Sequence, residues 1–137
     1  MNSTEIKYNA SKCMCVFLSI LNTIKIYHWQ TLSHPRHKAT DELYNNMSSL
    51  IDKFIEVLTG RLIIDLNDQT YRIPINENCM KLKDYLDNTD LELVKNIKIY
   101  LEKDELQQFI NYYPELLNIR DEMLAEVNKT AYLFTLS

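Results

Sequence analysis

The sequence predicts an all-α protein in which four helices surround one core and a single long crossover joins the second helix to the third. Turn-forming residues are scarce, with one glycine and three prolines in 137 residues, which favours long helices over strands. Apolar residues recur every three to four positions along four segments, the period of a helix buried along one face. The length fits one domain over residues 1–137, with one core.

The first helix is predicted from about Ser3 to Gln30, with Ser3 or Thr4 as its N-cap. Its apolar stripe contains Cys13, Phe17, Leu21 and Ile24, and His28 continues that stripe by one turn.

The second helix is predicted to follow a short break over 31–36, where Pro35 suits a first helical turn. It runs to about Thr59, and Gly60 is expected to end it. Its apolar face contains Leu43, Tyr44, Met47, Leu50, Ile51, Phe54 and Leu58.

Residues 61–88 lack a helical stripe for most of their length, although Met80 to Leu86 is expected to add a helical turn. A connection of this length is unusual inside a compact domain. It becomes necessary if the second and third helices run parallel, because the chain must then travel the length of the bundle between them. That arrangement is the single long crossover of ferritin-like four-helix bundles, and it is the fold that we predict.

The third helix is predicted to start at a capping box of Thr89 with Glu92. Its face contains Leu91, Val94, Ile97 and Leu101, and its end is unmarked because residues 102–105 are polar. Pro114 is predicted to open the last helix. The stripe of that helix contains Leu116, Ile119, Met123, Val127, Ala131 and Phe134.

Charge and hydropathy make several classes of partner unfavourable. The net charge is −4, and an acidic protein gains little from the counterion release that drives nucleic-acid binding. No stretch reaches the ~18 apolar residues of a membrane span, so no membrane partner is expected. Without a basic start, the apolar part of the first helix does not resemble a signal peptide.

Three cysteines are present, and none of them forms a CxxC pair: Cys13, Cys15 and Cys79. We expect these cysteines to be reduced and to pack as small buried hydrophobic residues, in a cytoplasmic compartment. The alternative is a redox or zinc site.

The candidate chemistry lies on the second helix. At ~100° per residue, one stripe beside the apolar face contains His37, Asp41, Asp52 and Glu56. Asp41 and Asp52 are about 16 Å apart at ~1.5 Å per residue, so an ion bound at ~2 Å cannot join them within one chain. His37 with Asp41 forms one half-site, and Asp52 with Glu56 forms the other. A second copy packed antiparallel about a two-fold axis would unite the two half-sites and create two equivalent sites.

Imidazole combined with carboxylate suits borderline metals such as Fe(II) and Zn(II). Open coordination positions and the lack of thiolate favour iron, with zinc as a possible substitute. A central di-iron site requires Glu-x-x-His on two helices, and no acidic residue here has a histidine three residues later. The simpler interpretation of these acidic residues is a solvated helix face.

Residues 28–60 resemble the Dps-type mini-ferritins, particularly the short forms found in phages and large DNA viruses. In that family, a His-Trp pair ends the first helix and a second His opens the next helix. An Asp follows four residues after the second His, and another Asp follows fifteen residues after it. A Glu lies four residues after the second Asp. The matching residues here are His28, Trp29, His37, Asp41, Asp52 and Glu56. The stretch from Leu116 to Phe134 resembles the last helix of the family more loosely. The basic DNA-binding tail of some members is absent.

The resemblance implies an iron-binding mini-ferritin with ferroxidase activity at dinuclear-type sites, which stores its product in a hollow oligomer of two-fold dimers, a cage of twelve. His28, His37 and Asp41 of one chain would meet Asp52 and Glu56 of its neighbour. The oxidant would be oxygen or hydrogen peroxide, and the location the host cytoplasm or the virion if the source is viral.

Two neighbouring residues receive separate predictions. His34 has no counterpart in the family and is expected in the loop, and Trp29 is expected to pack beside the site. The rival hypothesis is a structural or interaction protein with a ferritin fold, associated with the virion if the source is viral, whose metal site has lapsed. Metal analysis of the purified protein separates the two.

Overall fold

The computed structural model describes residues 1–75 and 90–136. These residues form helices and no strand, so the all-α prediction is confirmed. The helices are α1 (Ser3–Gln30), α2 (His34–Asp65), α3 (Asp90–Glu102), α4 (Asp104–Ile110) and α5 (Pro114–Phe134).

Helix α1 has the predicted limits, but its N-cap differs from the prediction. The Asn2 side chain caps the helix by accepting a hydrogen bond of 2.9 Å from the Glu5 amide, and asparagine is among the best N-cap residues. The buried apolar face contains Ala10, Cys13, Phe17, Ile20, Ile24 and Tyr27. Leu21, which the stripe predicted to be in the core, is only partly buried.

Helix α2 starts after the Ser33 N-cap and continues through Gly60 to Asp65, so the predicted stop at Gly60 is wrong. The extra turn has its own stabilising contacts. Leu62 is buried, and the Arg61 guanidinium bonds Asp65 and Glu115, each at 3.0 Å. Burial of a leucine side chain contributes about 1.5–3 kcal/mol, which by itself exceeds the cost of a glycine within a helix, about 1 kcal/mol.

Side-chain contacts show how α1, α2 and α5 run. The ring of Phe17 packs edge-on against that of Phe54, with centroids 4.9 Å apart, while His28 lies against His37, so α1 and α2 are antiparallel. Helix α5 is antiparallel to α2, because it pairs Lys129 with Glu42 at one end and Glu115 with Arg61 at the other.

The third helix runs in the same direction as α2. Phe17 contacts Tyr100 near the end of α3, and Lys12, earlier in α1, pairs with Glu105 in α4. Helix α3 is therefore antiparallel to α1 and parallel to α2. Among the described helices, α1 and α5 lie across the core from each other, as do α2 and α3, since the backbones of neither pair approach.

The connection after α2 is only partly described. Residues 71–75 have no regular secondary structure, and the Ser11 hydroxyl of α1 donates a 2.7 Å hydrogen bond to the Pro74 carbonyl. The predicted helical turn at Met80–Leu86 and the Thr89 half of the capping box lie outside the described residues.

By length and composition, α1 is the one described helix that is long and apolar enough to cross a membrane. About half of its most apolar window is buried inside the protein. The core helix of a soluble protein and a signal sequence both meet the same criterion.

Tyr71 generates a prediction about stability. Its hydroxyl is the one buried side-chain polar atom in the described part of the chain that has no hydrogen-bond partner. Since an unpaired buried polar group costs about 1–3 kcal/mol, Tyr71→Phe should leave the free energy of unfolding unchanged or raise it. Urea denaturation measures this. The control is Tyr100→Phe, which removes a hydrogen bond to the Cys13 thiol and should lower stability by about 1 kcal/mol. A comparable loss in Tyr71→Phe would contradict the prediction.

Candidate metal centre

Two histidines meet where α1 ends and α2 begins. His28 is in the last turn of α1, His37 is in the first turn of α2, and only residues 31–33 link the helices. The imidazole rings stack with centroids 3.8 Å apart and planes inclined by 20°. His28 is buried and His37 is exposed, so the pair extends from the core to the surface.

The two histidines exchange hydrogen bonds. The Nδ1 of each ring lies 2.8 Å from the backbone carbonyl oxygen of the other residue. Because a carbonyl oxygen only accepts, each Nδ1 carries a proton and donates. In a neutral ring the lone pair is then on Nε2. The pair is therefore held in the tautomer that leaves both Nε2 atoms able to bind a metal ion.

The same bonds complete the end of α1. Carbonyls in the last turn of a helix have no intrahelical partner. The Thr31 amide bonds the Tyr27 carbonyl at 2.9 Å, and the His37 ring provides the donor for the His28 carbonyl. The two candidate ligands, His28 and His37, therefore also hold together the ends of the short link between the helices.

The carboxylates of the stripe have no partners within their own chain. Asp41, Asp52 and Glu56 are all exposed, and in the described ranges none of them has a side-chain hydrogen bond or ion pair. By contrast, Glu42 and Asp65 on other faces of α2 pair with Lys129 and Arg61. The stripe thus presents carboxylates that nothing in the described chain neutralises.

One chain does not complete a site. Helix α2 is a single helix from His34 to Asp65, which keeps Asp41 and Asp52 about 16 Å apart at ~1.5 Å per residue. Among residues 1–75 and 90–136, no group of three or more His, Cys, Asp or Glu side chains could hold a metal ion. The structure brings His28 and His37 together, one turn from Asp41, and leaves Asp52 and Glu56 further along the helix.

Predictions for the neighbouring residues need correction. His34 is the first residue of α2, not a loop residue. Trp29 is 70% exposed, so it does not pack beside the histidines within one chain. Its side chain and that of the fully exposed Leu32 leave an apolar surface next to the pair.

Thr40 is the residue that the sequence analysis missed. It is fully buried, and its hydroxyl oxygen lies 3.3 Å from Nδ1 of His28. The sequence does contain a signal for Thr40, because it is a polar residue on the core side of α2, three residues after His37.

The cysteines are not available as thiolate ligands in the described residues. Cys13 is buried and free, and burial raises the pKa of its thiol to about 12. Cys15 is disulfide-bonded. The prediction of reduced cysteines is therefore confirmed for Cys13 and wrong for Cys15, while Cys79 lies outside the described residues.

Comparison with known proteins gives a family without a known activity. A family model described as "Family of unknown function (DUF5856)" matches residues 28–134. The matched segment begins at His28 and includes the other four predicted ligands, His37, Asp41, Asp52 and Glu56. No curated protein and no solved structure matches the chain.

The raised pKa of Cys13 predicts low reactivity. Thiolates, and not thiols, react with alkylating reagents, so Cys13 should resist iodoacetamide at a pH of about 8 in the native protein and react once the protein is denatured. Peptide mass spectrometry measures labelling at this residue. Labelling of native Cys13 at the rate of an exposed thiol would show that the buried environment is wrong.

Proposed function

We propose that this chain, which belongs to the family of unknown function DUF5856, is a subunit of a Dps-type mini-ferritin. It would oxidise Fe(II) at sites shared across a two-fold axis. The product would be retained in a hollow oligomer.

The helix packing supports a ferritin-like four-helix bundle. Helices α2 and α3 run parallel, which requires the long crossover of that fold, and residues 66–89 supply its length. Helices α3 and α4 together occupy the place of one helix, interrupted at Lys103, whose backbone is extended. Helix α5 lies diagonally across the core from α1.

The observation that carries the proposal is the position of the half-sites on α2. His37 and Glu56 have the same midpoint in the sequence as Asp41 and Asp52, between Asn46 and Met47. A two-fold axis through that point places His37 opposite Glu56 of the partner subunit and, at the same time, Asp41 opposite Asp52 of the partner subunit. One symmetry operation thus completes both ligand pairs.

The side chains near that midpoint suit two closely packed helices. Asn45 and Ser48 share the midpoint, and helical rotation of ~100° per residue puts them on the same side as the half-sites. Both are short polar residues that a facing helix can approach. The exposed Trp29 and Leu32 would lie at the edge of the same interface and become covered by the partner.

The ligand set suits iron as a substrate. The Nε2 atoms of His28 and His37 would bind Fe(II), and the carboxylates would stabilise Fe(III) as positive charge increases. Each Fe(II) gives one electron to the oxidant. With hydrogen peroxide, two Fe(II) and two protons yield two Fe(III) and two water molecules. Zn(II) accepts the same ligands without redox chemistry and would compete for the site.

The first prediction from this function is assembly. We expect a stable oligomer of two-fold dimers, by resemblance a cage of twelve, because unpaired carboxylates and an exposed apolar surface lie together on α2 and at the end of α1. Light scattering gives the mass. Trp29 is the only tryptophan, so blue-shifted fluorescence in the oligomer would report its burial. A lone single-chain species at micromolar concentration would contradict the proposal.

The second prediction is loss of activity on removal of carboxylates. Asp52→Ala and Glu56→Ala should abolish aerobic Fe(II) oxidation above the protein-free rate, since each removes a ligand while alanine maintains the helix. The matched control is Glu122→Ala, which removes an exposed carboxylate from α5 and should oxidise iron normally. If both stripe variants also oxidise iron normally, the site is misassigned. If the parent protein binds neither iron nor zinc, the structural role replaces the enzymatic one.

The third prediction tests the shared site by mixing two inactive variants, His37→Ala and Asp52→Ala. In a mixed dimer one site loses both ligands and the other loses neither, because each site takes His37 from one chain and Asp52 from the other. Random mixing makes half of the dimers mixed, so co-expression should restore roughly a quarter of parental activity. No recovery in verified mixed assemblies would exclude ligands shared between chains.

A further inference from the structure

We propose that Thr40 is a positioning residue of the metal centre, which orients the His28 ring as a second acceptor for its Nδ1–H and so directs the lone pairs of the histidine pair. The inference rests on the proposed function for the identity of the ion. Its geometry is independent of that function, because it concerns the protein without metal.

The Thr40 hydroxyl is oriented by its own helix. Its Oγ1 donates to the Arg36 carbonyl at 2.8 Å, with a longer contact of 3.2 Å to the His37 carbonyl. A hydroxyl has one proton and two lone pairs. With its proton directed at backbone carbonyls, the oxygen can only accept from Nδ1 of His28, 3.3 Å away.

Nδ1 of His28 therefore faces two acceptors, the Thr40 hydroxyl and the His37 carbonyl. In the opposite tautomer, the Nδ1 lone pair would meet the carbonyl lone pairs at 2.8 Å. The only compensation would be for Thr40 to turn its proton away from Arg36. The Arg36 carbonyl would then lose the hydrogen bond from Thr40. Since Thr40 is fully buried, water cannot replace that bond, so the hydroxyl disfavours the Nε2–H tautomer of His28.

The effect of Thr40 extends to His37 through the stacked rings. His28 is the buried member of the pair, and the exposed His37 lies 3.8 Å above it and bonds the His28 carbonyl. A change in the His28 ring therefore disturbs the contact that orients His37. Residues that orient histidine ligands in this way typically change metal affinity by about 10–100-fold when they are altered.

Variants of the full-length assembled protein test the proposal. Thr40→Val removes the hydroxyl at nearly constant shape, and Thr40→Ser retains it. The matched control is Thr130→Val on α5, where an equally buried threonine donates to the carbonyl four residues earlier, at 3.0 Å, with no histidine bonded to it. Thr40→Ala serves as a second hydroxyl-free variant if valine prevents folding.

Two measurements give the result. Solid-state ¹⁵N NMR of histidine-labelled apoprotein, at a pH of about 8 where ordinary imidazoles are neutral, identifies the protonated nitrogen of each ring. Titration with Co(II), followed by its visible absorption, gives the affinity. Both rings should be Nδ1–H in the parent. Thr40→Val should keep the Nδ1–H tautomer, which the His37 carbonyl still holds, but should shift the His28 Nδ1 resonance through loss of one acceptor and lower Co(II) affinity about 10-fold, while Thr40→Ser and Thr130→Val should match the parent.

The proposal is overturned if parental His28 is Nε2–H, or if Thr40→Val retains both the parental Nδ1 resonance of His28 and the parental affinity. A lower affinity shared equally by Thr130→Val would indicate general loosening of the helices and would also overturn it. Failure of the proposed function gives a different pattern. The parent protein would bind no iron, or iron oxidation would survive Asp52→Ala, while the NMR results would stand as described.

Discussion

Two hydrogen bonds from imidazole Nδ1 atoms to backbone carbonyls join His28 with His37 and close the turn between α1 and α2. One of them provides a donor for a carbonyl at the end of α1 that the helix itself leaves unpaired. Both assign the proton to Nδ1 and leave the lone pair of a neutral ring on Nε2, the atom that would bind the proposed metal ion. The bonds that join the end of α1 to the start of α2 therefore also orient the imidazole rings of the two candidate ligands. The rest of the candidate centre depends on that orientation.

Separating the half-sites along α2 also limits electrostatic cost. Three carboxylates held around an empty site repel one another, most strongly where water is excluded. In one chain, the exposed side chains of Asp41 and Asp52 are about 16 Å apart at ~1.5 Å per residue, so Asp41 is only weakly repelled by the Asp52–Glu56 pair. It would arise on assembly, where a bound cation would offset it. Because such binding is linked to the ordered state, metal and assembly would stabilise each other.

Helix limits were predictable where short-range signals agree. Gln30 ends α1 and Pro114 opens α5 as predicted, because each lies beside a break in the apolar period or at a residue suited to a first turn. Prediction failed at Gly60, where the pairing of Arg61 with Glu115 depends on a helix far along the chain. The division of the third segment into α3 and α4 has no clear apolar signal in the sequence, since Lys103 is one polar residue among several.

By itself, the sequence determined the all-α class and the stripe of His37, Asp41, Asp52 and Glu56, because rotation and rise per residue in a helix follow from spacing alone. The tertiary structure decided what lies beside that stripe. It stacked His28 on His37, selected their tautomers, placed the hydroxyl of Thr40 against the buried ring and left Trp29 exposed. These features depend on two helix ends meeting across a turn, where a hydrogen bond is decided by tenths of an ångström that sequence spacing does not specify.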